Sequence, residues 1–199
     1  MPIRLSRSDL IDHPVRPPYR FHLDIAEAVV LQAWLRREIA VRGGLNVAPA
    51  MADPSEGLAL RSLAAVLAAM PRIAGSQACL GWARALLDPH ETSLPIDARG
   101  TDLPETSADR HVLPPERESV PVEITMSAAD LLVLFEFLCR EIDEADGANL
   151  LASFVTPAEF WALNNLQCVL EKGEFYSVVE DYSDQLDVAR ARVVASKTP

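Results

Sequence analysis

The sequence predicts a mainly α protein, a tandem duplication of a short-strand plus three-helix unit packed as a pseudo-two-fold helical bundle. Three observations predict it. Two blocks of the chain repeat at one offset, the signature of an internal repeat. Asp24–Ile39 aligns without a gap on Ser127–Ile142, 103 residues later, with seven identities in sixteen pairs, among them Arg37/Arg140 and Glu38/Glu141. Asp53–Ala68 aligns on Thr156–Glu171 at the same offset, again with seven in sixteen, among them Pro54/Pro157 and Glu56/Glu159. Finally, both blocks begin with helix-start chemistry, a short polar residue followed three positions later by an acid.

In chain order, residues 1–18 form an irregular arm broken by Pro14, Pro17 and Pro18. Unit 1 spans 19–88. It opens on Tyr19-Arg20-Phe21-His22-Leu23, whose alternating character reads as a short strand. Asp24…Glu27 starts the first helix, and Gly43-Gly44 ends it. Asp53…Glu56 starts the second, with Pro54 at the first helical position, where a missing N–H costs nothing. A last helix covers roughly 73–87. Residues 89–120 are a linker with Pro89, Pro95, Pro104, Pro114 and Pro115, expected to be extended or disordered.

Unit 2 spans 121–195 and repeats the order. Pro121–Met126 is the second short strand. A lone strand needs a partner, so the two strands are expected to pair across a local two-fold. Ser127…Asp130 and Thr156…Glu159 start the next two helices, and the last covers roughly 176–194. Leu131, Leu132, Val133, Leu134, Phe135, Phe137 and Leu138 leave almost no polar face, so this helix is expected to be buried on more than one side. A unit this small struggles to enclose it alone, and the first helices of the two units are expected to pack on each other. In the last helix, Val179, Tyr182, Leu186, Ala189 and Val193 form a buried stripe.

Charge narrows the class of partner. The net charge is −11, carried mostly by residues 121–199, which hold 14 acidic and 5 basic side chains. Such a surface repels phosphate, so neither nucleic acid nor an anionic membrane is expected as a partner, whereas a basic protein is. No apolar run approaches the length of a membrane span, and Met1–Arg7 has no apolar core of a signal peptide. The expected location is cytoplasmic.

Residues for chemistry are scarce. Cys79, Cys139 and Cys168 lack the spacing of a disulfide framework or a zinc site, and all three read as thiols inside helices among apolar neighbours. His13, His22, His90 and His111 fall in the arm, the first strand and the linker. No nucleotide-binding, hydrolase or metalloprotease motif is present, and 143–147 fails the register of a calcium loop. No catalytic residue, cofactor or metal site is expected. The candidate partner-binding residues are Glu180, Asp184 and Asp187 on the last helix, Asp143, Glu144 and Asp146 after the first helix of unit 2, and the unusual mid-helix pair Asn164-Asn165.

Met126–Leu138, followed by Pro157-Ala158-Glu159 and by Ala162–Lys172, resembles short bacterial α-helical hypothetical proteins of one unit each, here in tandem. The resemblance implies the fold of unit 2 and, more weakly, of unit 1. It brings no catalytic residues.

The functional expectation is a non-enzymatic protein-binding module, an immunity- or antitoxin-type inhibitor or an adaptor for a basic partner. An alternative is a scaffolding pseudo-dimer with two equivalent partner sites. A third is an enzyme with a site at the junction of the units, where Trp34, Trp161, Arg37 and Arg140 are the candidates.

Overall fold

The two short strands find each other. In the computed structural model, which describes residues 16–40, 47–70, 77–87, 121–176 and 181–197, β1 (Tyr19–Asp24) pairs antiparallel with β2 (Pro121–Met126). Phe21 lies opposite Ile124 and Leu23 opposite Val122. Alternation sends Phe21, Leu23, Ile124 and Met126 into the core, while Arg20, His22 and Glu123 face solvent. The arm before residue 16, the linker and Gly43-Gly44 lie outside the described residues.

Each strand runs directly into a helix. Asp24 stops β1 by accepting from the Ala26 N–H, and Glu27 reaches back to the Asp24 N–H, which starts α1 (Ile25–Ala40). Ser127 caps α4 (Ala128–Leu138) by accepting from the Asp130 N–H, and its hydroxyl donates to the Asp130 carboxylate. Asp53 caps α2 (Pro54–Ala68) through the Ser55 N–H. α5 (Pro157–Glu171) starts after Thr156, whose side chain makes no capping bond. Between α2 and β2 lies α3 (Gln77–Leu87), and α6 (Tyr182–Lys197) closes the chain. All four expected helix starts are in place, and the described fold is mainly helical with one two-stranded sheet.

The expected partnership of the two first helices is corrected. α1 runs closest to α3 and to α5, and α4 runs closest to α6 and to α2. The first helix of each half therefore lies against the second helix of the other half. Their apolar girth explains this. Val30, Leu31, Trp34 and Leu35 of α1, and Leu131, Val133, Leu134, Phe137 and Leu138 of α4, are all fully buried. Such helices need cover on several sides, and α2 and α5 supply it with Leu60, Leu63, Leu67, Leu163, Leu166 and Leu170. The expected stripe on α6 is also buried at Leu186, Ala189 and Val193, and partly at Tyr182, while Val179 lies outside the described residues.

After Leu138 the helix loosens. Residues Cys139–Glu144 form a π-helical turn, where the Ala145 N–H bonds the Arg140 carbonyl five residues back. Asp146 and Gly147 then take positive φ, and a 3-10 segment, Ala148–Ser153, leads to α5. A Cβ at Gly147 would come within 2.9 Å of the Phe160 ring, so both the backbone conformation and the close approach call for glycine. In the other half, a 3-10 turn at Ala48–Ala50 precedes α2.

Candidate functional site

The repeated arginines are held inside two ion-pair clusters. Arg37, near the end of α1, grips Glu159 of α5 with both terminal nitrogens, at 3.0 and 2.9 Å, and also donates to Glu38 and to the Ser153 carbonyl. Arg140 grips Glu56 of α2 at 2.8 and 2.9 Å, and donates to Glu141 and to the Ala50 carbonyl. Two-pronged guanidinium–carboxylate contacts of this kind are the strong and specific ones. The Glu159 and Glu56 side chains are fully buried. The hydrogen bond to Glu159 is the largest influence raising Arg37 above the ordinary arginine range, and that to Glu56 does the same for Arg140.

These carboxylates depart from the expected capping role. Glu56 accepts from the Ala52 N–H and Glu159 from the Val155 N–H, each one residue before the cap position. The carboxylate is shared between the helix entry and an arginine from the other half. Glu159 takes a further bond from Arg84 of α3 at 3.1 Å, and Asn149 donates to Glu141 at 3.0 Å.

A second pair of contacts involves one expected site residue. Asn165 donates to Glu27 at 3.0 Å, and Ser62, which stands 103 positions earlier, donates to Asp130 at 2.9 Å. Asn165 thus makes an internal contact between the halves, and Asn164 is half-buried beside it. Burial is the largest influence on Glu27 and raises its pKa above the usual carboxylate range, against the Asp24 N–H and Asn165, which lower it.

The expected acidic residues divide into two groups. Asp143, Glu144 and Asp146 are exposed on and just after the π turn, with no ion pair among the described residues. On α6, Asp184 is exposed and Asp187 lies 3.7 Å from Arg190. Glu180 lies outside the described residues.

The junction candidates separate. Trp34 is buried and donates its indole N–H to the Ser153 hydroxyl, so Trp34 and Arg37 both anchor the segment before α5. Trp161 instead stands on the surface, 42% exposed. Cys139 is half-buried, and burial, reinforced by Glu136 and nearby acids, pushes its thiol up to about 11. Cys168 is exposed, which corrects its reading as a core thiol: α5 turns Leu163, Leu166 and Leu170 inward and Cys168 to the opposite side. The side chain of Cys79, with His13, His90 and His111, lies outside the described residues. No group of three or more His, Cys, Asp or Glu is placed to hold a metal among the described residues. None of the described helices is long and apolar enough to cross a membrane.

Sequence reasoning missed one surface feature. Five large apolar side chains are prominently exposed among the described residues, and three of them, Leu151, Val155 and Trp161, fall within residues 151–161. Between them in sequence, Phe154 and Phe160 meet edge to face, with Trp161 against Phe160 at a centroid distance of 5.4 Å. A signal for this corner lies in the sequence: positions 103 earlier carry Ala48, Ala52, Gly57 and Leu58 in place of Leu151, Val155, Phe160 and Trp161.

In comparisons with protein-family models, curated proteins and solved structures, no match to this chain was found.

Proposed function

We propose that this protein is a non-enzymatic binding module that captures a basic protein partner, in the manner of an immunity- or antitoxin-type inhibitor or an adaptor. The observation that carries the reading is the disposition of charge. Arg37 and Arg140 are spent on buried carboxylates of the opposite half, whereas Asp143, Glu144, Asp146 and Asp184 project into solvent. Exposed carboxylates outside any ion pair among the described residues steer a basic partner and accelerate its association.

We further infer that the scaffold is an internal duplication with pseudo-two-fold packing. The offset of 103 residues converts Arg37–Glu159 into Arg140–Glu56, Arg37–Ser153 into Arg140–Ala50, and Asn165–Glu27 into Ser62–Asp130. Phe21 and Ile124, opposite each other in the sheet, are separated by that same offset, as a local two-fold through the strand pair would require. A fused pair built this way holds its halves in one geometry and needs no partner copy to complete its core.

The test is capture from extracts of the source cells with the tagged full chain, followed by association kinetics with the recovered protein. A basic partner is expected, with an association rate that falls at high salt and falls again in the D143N/E144Q/D146N variant. The same low-salt rate for variant and parent, or a partner that is not basic, would overturn the reading.

A further inference from the structure

We infer that the corner bearing Leu151, Val155 and Trp161, with Asp143, Glu144 and Asp146 beside it, docks one basic amphipathic segment of a partner protein. The inference rests on the binding reading above and assigns it a surface and a stoichiometry of one per chain.

Two of the apolar groups are more exposed than not, Leu151 at 66% and Val155 at 63%. Single exposed apolar residues need no explanation, but three between positions 151 and 161, flanking the Phe154–Phe160 pair, point to an interaction surface. Trp161 supplies the kind of large amphipathic side chain on which binding energy concentrates. The aromatic pair is fixed. Phe154 packs against buried Trp34 and against Phe160, and Ser153 is held by Trp34 and Arg37. A surface held this way gives up little conformational freedom when covered.

The acidic residues say what covers it. The π turn carries Asp143 and Glu144 out to solvent, and the positive-φ pair Asp146-Gly147 folds back so that Gly147 lies against the rings of Phe160 and Phe154. Asp146 therefore directly precedes a residue that touches the aromatic pair, and Asp143, Glu144 and Asp146 are exposed and in no ion pair among the described residues. An occupant with apolar side chains on one face and Lys or Arg at its margin satisfies both, whereas an anionic membrane or an acidic peptide would meet like charge.

Among the described residues, the equivalent positions of the other half carry no equal surface. At the positions 103 earlier, Ala48 and Ala52 are exposed but small, Gly57 has no side chain, and Leu58 is partly buried. The acids differ as well, since Asp143 and Glu144 fall on Ala40 and Val41. The scaffold repeats but the corner does not, so one segment per chain is expected.

The probe is a synthetic peptide of about 18 residues, long enough for helix, with Leu and Lys at amphipathic helical spacing. A Leu/Glu peptide of the same pattern is the control. Binding to the full chain is followed by tryptophan emission, with W161F identifying the reporter. The Leu/Lys peptide is expected to bind at a ratio of one and to shift Trp161 emission. L151S/V155S should weaken it about 10-fold or more, a factor typical of losing interface anchors, and A48S/A52S should leave it unchanged. All four positions are exposed, so these variants keep the fold, which circular dichroism verifies. Binding that L151S/V155S leaves intact while D143N/E144Q/D146N weakens it would overturn the corner and retain the acidic binding reading. Failure of the Leu/Lys peptide to bind would overturn both. A dimer in sedimentation that L151S/V155S dissociates would give the face to a second copy of this chain and overturn the proposal.

Discussion

Replacing Glu159 with alanine should loosen the whole protein, because one fully buried carboxylate joins three elements. It accepts two bonds from Arg37 of α1, one from Arg84 of α3 and one from the Val155 backbone at the entry of α5. Removing it strands two guanidinium groups and an N–H. Breaking a buried pair by deleting one partner costs about 3–5 kcal/mol. The Arg37 side chain is 33% exposed and Arg84 24%, so water rehydrates part of each. The lower end, about 3 kcal/mol, is therefore expected. For a chain of this length, about 2–4 °C per kcal/mol gives a drop in Tm of about 6–12 °C. Urea titration and calorimetry measure the two figures independently. E56A removes one arginine contact fewer and should cost somewhat less. In a double-mutant cycle of E159A with R37M, the coupling should fall within about 0.5–3 kcal/mol. A loss below about 1 kcal/mol for E159A, the value of a solvent-exposed pair, would refute the buried tie.

Gly147→Ala should destabilise by about 1–2 kcal/mol from its left-handed backbone alone, and more from the encounter with Phe160, measured by urea unfolding; an unchanged midpoint would contradict the turn geometry. In a C79S background, Cys168 should react readily with a thiol reagent at pH 8, while Cys139, pushed up to about 11, should react about 100-fold more slowly, since the thiolate is the nucleophile; equal rates would contradict its burial. Glu27 has its folded-state pKa raised above 4.5, so the folded state holds its proton more tightly than the unfolded chain does. Its stabilising contribution is present at low pH and is lost as pH rises through the folded value, because the buried carboxylate must then ionise. The Tm of E27Q relative to the parent should accordingly rise as pH increases above about 4.5; a difference that stays flat or reverses would contradict the burial.

Local chemistry made much of the fold legible. Asp24, Asp53, Ser127 and Thr156 each precede a helix, because a polar break followed by an acid is a signal written within four residues. The alternation in Tyr19–Leu23 and Pro121–Met126 marked both strands, and the all-round apolar character of Leu131–Leu138 foretold its burial. What covers a buried helix is another matter. Periodicity says that α1 and α4 need neighbours but not which ones, and the crossed arrangement with α5 and α2 depends on contacts between residues far apart in sequence. The acids at Glu56 and Glu159 read equally well as capping groups or as ion-pair partners, and the distant arginines tip them toward sharing. The bond from Asn165 to Glu27 was not legible because the two lie 138 residues apart. The apolar corner escaped notice because Leu151 and Val155 look like core residues until the π turn and Gly147 place them outside.

The proposed capture of a single basic protein by residues 143–161 is open to direct measurement. Native mass spectrometry of the complex recovered from source-cell extract tests it most directly. One 21.8 kDa chain with one copy of a basic partner is expected, lost when the bait is L151S/V155S. Two partner copies per chain, or a complex that survives in that variant, would contradict it.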